Sequence, residues 1–199
     1  HISITRGCGT GGESALPGAD RLRPPTDPEP TVIVTATPAP SVEETERLTL
    51  QTVRTRAIAP DAVPAAPLTH SRLDAVRAQA ELRRSAPPDG DPADEGLLLD
   101  VDGHVVSGTA SDPFFIRDDA VRLPTLGDRP ARTGTRAVVR ELAAEEGFPV
   151  ATGAYTPADV REAEEAFVAE PSAGIRPVVR LGCRDRSISF AARETAAPE

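Results

Sequence analysis

No lysine occurs anywhere in the 199 residues, so all 22 basic side chains are arginines. Arginine keeps its proton at any ordinary pH, and the chain therefore offers no side-chain amine to attack a carbonyl. Tryptophan and methionine are also absent, and five Phe with one Tyr are the only large aromatics. Any core must be built from Val, Leu, Ile and Ala. The two cysteines, Cys8 and Cys183, are too few for a zinc pattern and allow at most one bridge, so two free thiols and no metal site are expected. No apolar run approaches the roughly 18–20 residues that a membrane helix needs, and no charged-then-apolar leader is readable. A soluble, cytoplasmic chain with no membrane partner is expected. Positive charge is scarce: the net charge is -9, and the sequence holds no run of arginines of the kind a nucleic-acid groove requires. High-salt cytoplasm and GC-rich codon usage would each account for an acidic, lysine-free surface.

What is present fits one domain or one and a half. Proline (21) and glycine (15) make up about 18% of the chain, below the roughly 25–30% typical of low-complexity disorder. His1 to Gly7 alternates apolar and polar residues, the signature of a half-buried strand, and Gly7 to Pro30 reads as a loop. Thr31 to Ala36 is β-branched and bounded by prolines, which predicts a buried strand. Arg47 to Arg56 is a second strand, with a change of phase near Thr52. A helix capped by Ser71 is expected to place Leu73, Val76 and Ala80 on one face. Glu95 to Val106 reads as a hairpin turning at Asp102-Gly103, and a further hairpin turns at Asp118-Asp119. Val138, Val139, Leu142 and Ala143 recur at helical spacing. Phe148 to Thr152 is a strand, and Thr156-Pro157 starts a helix with Thr156 as N-cap. Ala166–Ala169, Ile175–Leu181 and a last hairpin from Arg184 to Ala192 complete the strands, before a loose tail over 191–199. This pattern by itself gives α+β.

Several stretches resemble one family. Pro67-Leu68-Thr69-His70-Ser71-Arg72-Leu73 is similar to a lysine-bearing segment, roughly Lys-Thr-His-Ser-Arg-Leu. Glu95-Gly-Leu-Leu-Leu-Asp and Gly103-His-Val-Val-Ser-Gly108, running on through Phe115, resemble its long hairpin. Thr133-Gly134-Thr135-Arg136 resembles its Gly-Ile-Thr-Arg turn. The family is that of the class IV aminotransferases, fold-type IV pyridoxal-phosphate (PLP) enzymes that include branched-chain aminotransferase, D-amino-acid aminotransferase and 4-amino-4-deoxychorismate lyase. The Thr-His-Ser-Arg-Leu segment is nearest to the lyase branch. The resemblance implies a class IV aminotransferase-like α+β fold, mainly its C-terminal domain of strands and hairpins with interspersed helices. It divides the chain into a remainder of the N-terminal subdomain with connecting strands (1–66), the C-terminal domain (67–190) and the tail, as in a fragment or a truncated homologue.

The same resemblance places Leu68 where the family has its Schiff-base lysine, and Ser107 where it has the glutamate that partners the pyridine nitrogen. Thr133, Gly134 and Thr135 fall on the phosphate-binding helix start. Glu170 and Pro171 fall where a second phosphate donor stands, and Asp112 replaces an asparagine. Catalysis through a protein-bound imine is not expected, no covalently bound cofactor is expected, and these positions are read as a vestigial pocket. His70 and His104 read as ordinary polar residues, and Asp100, Asp102, Asp118 and Asp119 as turn residues. Three functional expectations stand: a degenerate aminodeoxychorismate lyase or class IV aminotransferase homologue, a PLP-independent enzyme or small-molecule binder reusing the cleft, and a non-catalytic partner of an active paralogue. Possible partners are a second copy, a missing N-terminal chain or a small ligand.

Overall fold

The computed structural model describes residues 2–8, 29–38, 47–59, 71–86, 91–124, 134–183 and 186–190. The chain forms two compact units, His1–Ser41 and Val42–Glu199, so the strand that follows residue 47 belongs to the second. In the first unit, β1 (Ile2–Cys8) and β2 (Glu29–Val34) pair antiparallel, with Ile2 opposite Val34 and Ile4 opposite Val32. The expected buried strand over Thr31–Ala36 is therefore shifted to Glu29–Val34, and it is exposed along its whole length. A two-stranded ribbon has no further layer of its own against which to bury side chains. The expected loop lies outside the described residues, except that Gly7, Cys8, Glu29 and Pro30 are in the strands.

The second unit is a nine-stranded mixed sheet with three helices among the described residues. Its order is β5 (Val105–Gly108), β4 (Glu95–Leu99), β3 (Leu48–Arg56), β10 (Gly174–Cys183), β9 (Glu165–Glu170), β6 (Asp112–Arg117), β7 (Ala120–Pro124) and β8 (Val150–Gly153), with β11 (Arg186–Ser189) added on β10. Pairing is parallel for β3 with β4, β3 with β10 and β7 with β8, and antiparallel elsewhere. The parallel β3–β4 pair needs a crossover, which helix α1 (Leu73–Arg84) supplies.

β10 joins two halves of the sheet. Residues Gly174 to Pro177 pair with β9, whereas Val178 to Gly182 pair with β3, and the register shifts between Val178 and Arg180. Pro177 has no N–H to donate and stands at this change of partner, where a proline is tolerated. Leu48, Leu50, Leu97, Leu99 and Val105 from one half meet Phe115, Ala166 and Val168 from the other in a single buried cluster. The fold is α+β.

The local signals are kept where turn chemistry dictates them. Asp118 and Asp119 both have φ of 53°, the left-handed pair that a two-residue hairpin turn requires. Gly103 has φ of 92°, and the Asp100 carboxylate holds the same turn by accepting from the N–H of Asp102 (2.9 Å) and of His104 (2.8 Å). Asp100, Asp102 and His104 bring their potential ligand atoms within 4.8 Å of one another, but those turn bonds occupy Asp100 Oδ1, and Oδ2 pairs with His104 Nδ1 at 3.2 Å. Helix α3 (Pro157–Arg161) begins with the expected Thr156 cap, completed by Asp159 as a capping box.

Two helix faces differ from expectation. In α1 the buried residues are Asp74, Ala75, Ala78 and Leu82, while Leu73 and Val76 are about two-thirds exposed, at 65% and 64%. Asp74 turns inward because its carboxylate accepts from the N–H of Ile58 (3.0 Å) and of Ala75 (2.8 Å). Ser71 makes no cap, since Arg72 is the N-cap and bonds no helix N–H through its side chain. In α2 (Gly134–Glu145) Arg136 and Val139 are buried, and Val138 and Leu142 face outward. Phe148 also lies outside its expected strand and is exposed. No helix among the described residues is long and apolar enough to cross a membrane.

Candidate functional site

Three buried charges organise one region of the second unit. Arg136 comes from the first turn of α2 and is 6% exposed. Its Nε donates to Asp112 Oδ1 (2.7 Å), Nη1 to the Pro124 carbonyl (2.9 Å) and Nη2 to the Val106 carbonyl (2.7 Å). One guanidinium thus ties α2 to β5, β6 and β7, using the planar fork of donors that only arginine supplies. It also links the sequence-derived positions, since Arg136 follows Thr135 and Val106 precedes Ser107. Asp112, read from sequence as a lost asparagine, is the charged partner of this hub.

Glu95 opens β4 and is 5% exposed. The Ser111 hydroxyl donates to its Oε2 at 2.7 Å. Burial pushes the Glu95 carboxyl above its ordinary range; the Ser111 hydroxyl opposes that shift, Glu170 adds to it and Arg176 again opposes it. Gly108 packs against this group: a side chain there would collide with the Glu95 carboxylate and with Ser111. The Gly108 N–H donates to the Ser111 carbonyl (2.9 Å), which closes the turn between β5 and β6.

Glu170 at the end of β9 pairs with Arg176 of β10 across the intervening turn, Oε1 to Nη2 at 2.8 Å, with both side chains 15% exposed. Glu95, Glu170 and Arg176 line a cavity of about 380 Å3 together with Arg47, Gln79 and Asp94. Asp94 is partly committed, because its Oδ2 accepts from the N–H (2.7 Å) and hydroxyl (2.8 Å) of Thr49. Gln79 donates to the Thr109 hydroxyl (2.7 Å) and Arg72 to the Thr109 carbonyl (2.6 Å), which fastens α1 beside the β5–β6 turn. The cavity presents guanidinium and carboxylate groups side by side, an arrangement able to hold a small molecule carrying both signs of charge.

Of the positions singled out by sequence, Ser107 is buried in β5, Thr135 is half-buried in the first turn of α2, Gly134 is exposed at its start, Glu170 lines the cavity and Pro171 is exposed beside it. Leu68, His70 and Thr133 lie outside the described residues. Sequence reasoning missed Glu95, Arg136 and Arg176. Glu95 carried a usable signal, since it heads the continuous run Gly96-Leu97-Leu98-Leu99 of a strand covered on both faces, where a charged residue is unexpected.

Residues 2–181 match the family profile described as amino-transferase class IV. A putative branched-chain-amino-acid aminotransferase of Methanocaldococcus jannaschii is 29% identical over 184 residues, 92% of this chain and 59% of that protein. An aminodeoxychorismate lyase of Vibrio harveyi is 26% identical over 121 residues, 61% of this chain and 42% of that one. Among solved structures, the 4-amino-4-deoxychorismate lyase of Pseudomonas aeruginosa superposes with a TM-score of 0.73 at 28% identity, covering 96% of this chain and 65% of that one. The chain thus spans between 42% and 65% of the length of these three relatives.

Proposed function

The chain belongs to the amino-transferase class IV family, and from that premise we propose that it binds a small polar molecule non-covalently in the family's cleft, without imine chemistry. The observation that carries this reading is the complete absence of lysine, with Leu68 at the position of the family's lysine. PLP, the cofactor the family implies, does not fit the residues described. A phosphate dianion would meet the Glu170 carboxylate at the position of a donor, and the buried Glu95 carboxyl stands near it. Ser107, at the position of the pyridine partner, carries no charge to stabilise a protonated ring nitrogen. The relatives' activities are transamination of branched-chain amino acids and aminodeoxychorismate cleavage, as their names state. This chain represents that lineage with the covalent step lost.

The binding reading rests on the cavity around Glu95, Glu170 and Arg176, where opposite charges face a volume of about 380 Å3. The test is incubation with PLP, borohydride reduction and mass analysis of peptides. No pyridoxyl mass is expected on any side chain, and a stable side-chain adduct would overturn the reading. The paired change Leu68→Lys with Ser107→Glu is expected to introduce a PLP absorbance band that the unaltered chain lacks.

A further inference from the structure

We propose a second binding site, for a small anion carrying at least two phosphate or carboxylate groups, in the groove between α1 and strands β3 and β10. Helix α1 covers the β3–β4 side of the sheet, where Ala78 and Leu82 pack on Val53, Leu98 and Val106. Among the described residues no helix covers the flank over β10, and a groove of about 930 Å3 opens there. Four arginines line it: Arg54 from β3, Arg77 and Arg84 from α1, and Arg180 from β10. They come from three separate elements, which is why the chain read linearly holds no basic cluster. The fold assembles one in a protein whose net charge is -9.

The two carboxylates on the described lining, Glu81 and Asp91, offset only part of the charge of the four arginines, and Glu81 acts on Arg54. Glu81 lines the groove, but its two oxygens accept from the N–H groups of Arg54 (2.7 Å) and Thr55 (3.1 Å) and from the Thr55 hydroxyl (3.1 Å). Those bonds fasten α1 to β3. Asp91 is the other carboxylate on the described lining. Among the described residues, Arg77, Arg84 and Arg180 form no ion pair within 4 Å, whereas Arg117, Arg122, Arg136 and Arg176 all do.

Spacing sets the ligand class. Arg77 and Arg84 are seven residues apart on one helix, or about 10 Å along its axis. A single phosphate cannot span that distance, but an elongated molecule with anionic groups at both ends can. Gly182, without a side chain, leaves the wall opposite α1 low, and Val76 and Ala80 supply apolar surface between the charges. Guanidinium forks suit phosphate and carboxylate oxygens alike, so the shared chemistry is a multiply charged oxyanion.

The site is separate from the Glu95 cavity and is tested separately. Pyrophosphate and citrate are titrated calorimetrically into the full chain at low ionic strength. Saturable one-to-one binding of at least one is expected, and the preferred probe distinguishes phosphate from carboxylate recognition. The double variant Arg77→Gln/Arg84→Gln is expected to weaken binding by about tenfold or more, and Arg180→Gln by somewhat less. Arg140→Gln makes the same charge change as Arg180→Gln, on the exposed side of α2, and is expected to leave binding unchanged; thermal melts confirm that the variants are folded. Absence of saturable binding by either probe, or equal weakening by Arg140→Gln, overturns the proposal.

Discussion

Two buried charges of the second unit are treated in opposite ways. Arg136 has each arm of its guanidinium bonded, to one carboxylate and two main-chain carbonyls, and it lines neither of the cavities described above. Glu95 is bonded by one residue, Ser111, through its hydroxyl and its main chain; it feels both Glu170 and Arg176 and borders a cavity. The first charge is a fastener, because every bond it makes joins a different strand. The second is held in a state that a ligand could improve, since an added donor or cation would relieve its burial. The difference teaches that burial alone does not mark a functional group; unfinished satisfaction beside open volume does.

The sharpest break of this comparison is Arg136→Ala. Removing the guanidinium takes the charged partner from the buried Asp112 carboxylate and a donor from two carbonyls, and a loss of about 3–5 kcal/mol is expected in urea unfolding. Arg136→Lys should recover only part of it, since one ammonium cannot reach three acceptors in different directions. A loss below about 1 kcal/mol for Arg136→Ala would show that the hub is solvated.

Glu95 gives the next effect, and its sign is opposite. The folded chain holds the Glu95 proton to higher pH than the unfolded chain does, so it binds more protons in the interval between the two pKa values. Stability should therefore fall as pH rises from the ordinary glutamate range through the raised folded value. Glu95→Gln is expected to flatten that fall, with a difference on the order of 1 kcal/mol at the upper end. Urea midpoints measured from about pH 4.5 to 8 would check it, and parallel curves for the two chains would remove Glu95 from the argument.

The α3 capping box sharpens the contrast from the surface. The Thr156 hydroxyl and N–H hold the Asp159 carboxyl below its ordinary range, burial opposes them, and Arg117 assists. Its contribution is present above the unfolded aspartate pKa and is lost as pH falls through the lowered folded value. Asp159→Asn and Thr156→Ala should each lower stability by about 1 kcal/mol at neutral pH, and less in acid. Glu95 and Asp159 thus predict slopes on opposite sides of the pH scale, separable by the two substitutions. A cap variant as stable as the unaltered chain at pH 7 would contradict the box.

The sequence was legible where backbone geometry depends on residue type. Asp118-Asp119, Gly103 and Thr156-Pro157 mark their turns and cap because few residues accept those conformations. The change of phase at Thr52 was visible too, as Leu48, Leu50 and Val53 are the buried residues of β3. Helix faces were less legible. Leu73 and Val76 outrank Asp74 and Ala75 on any hydrophobicity scale, yet the N–H of Ile58 reaches the Asp74 carboxylate and turns the aspartate inward. The same limit hid much of the site. Arg136 and Arg176 resemble solvated charges until the strands that supply their partners are brought together, while Ser107 and Glu170 were reached only through family resemblance.

The seam between β3 and β10 carries a consequence for the order of assembly. Thr52 bonds the Gly182 carbonyl across 130 residues of chain. During synthesis at about 5–20 residues per second, β3 leaves the ribosome roughly 6–26 s before its partner exists. The unit of β3, α1 and β4 can close in that interval, because its crossover is local. The other edge of β3 then waits with its main-chain donors and acceptors unpaired, a template for any passing strand. Nascent chains halted before Gly174 should therefore be captured by chaperones, or aggregate through that edge, far more than chains released after Cys183.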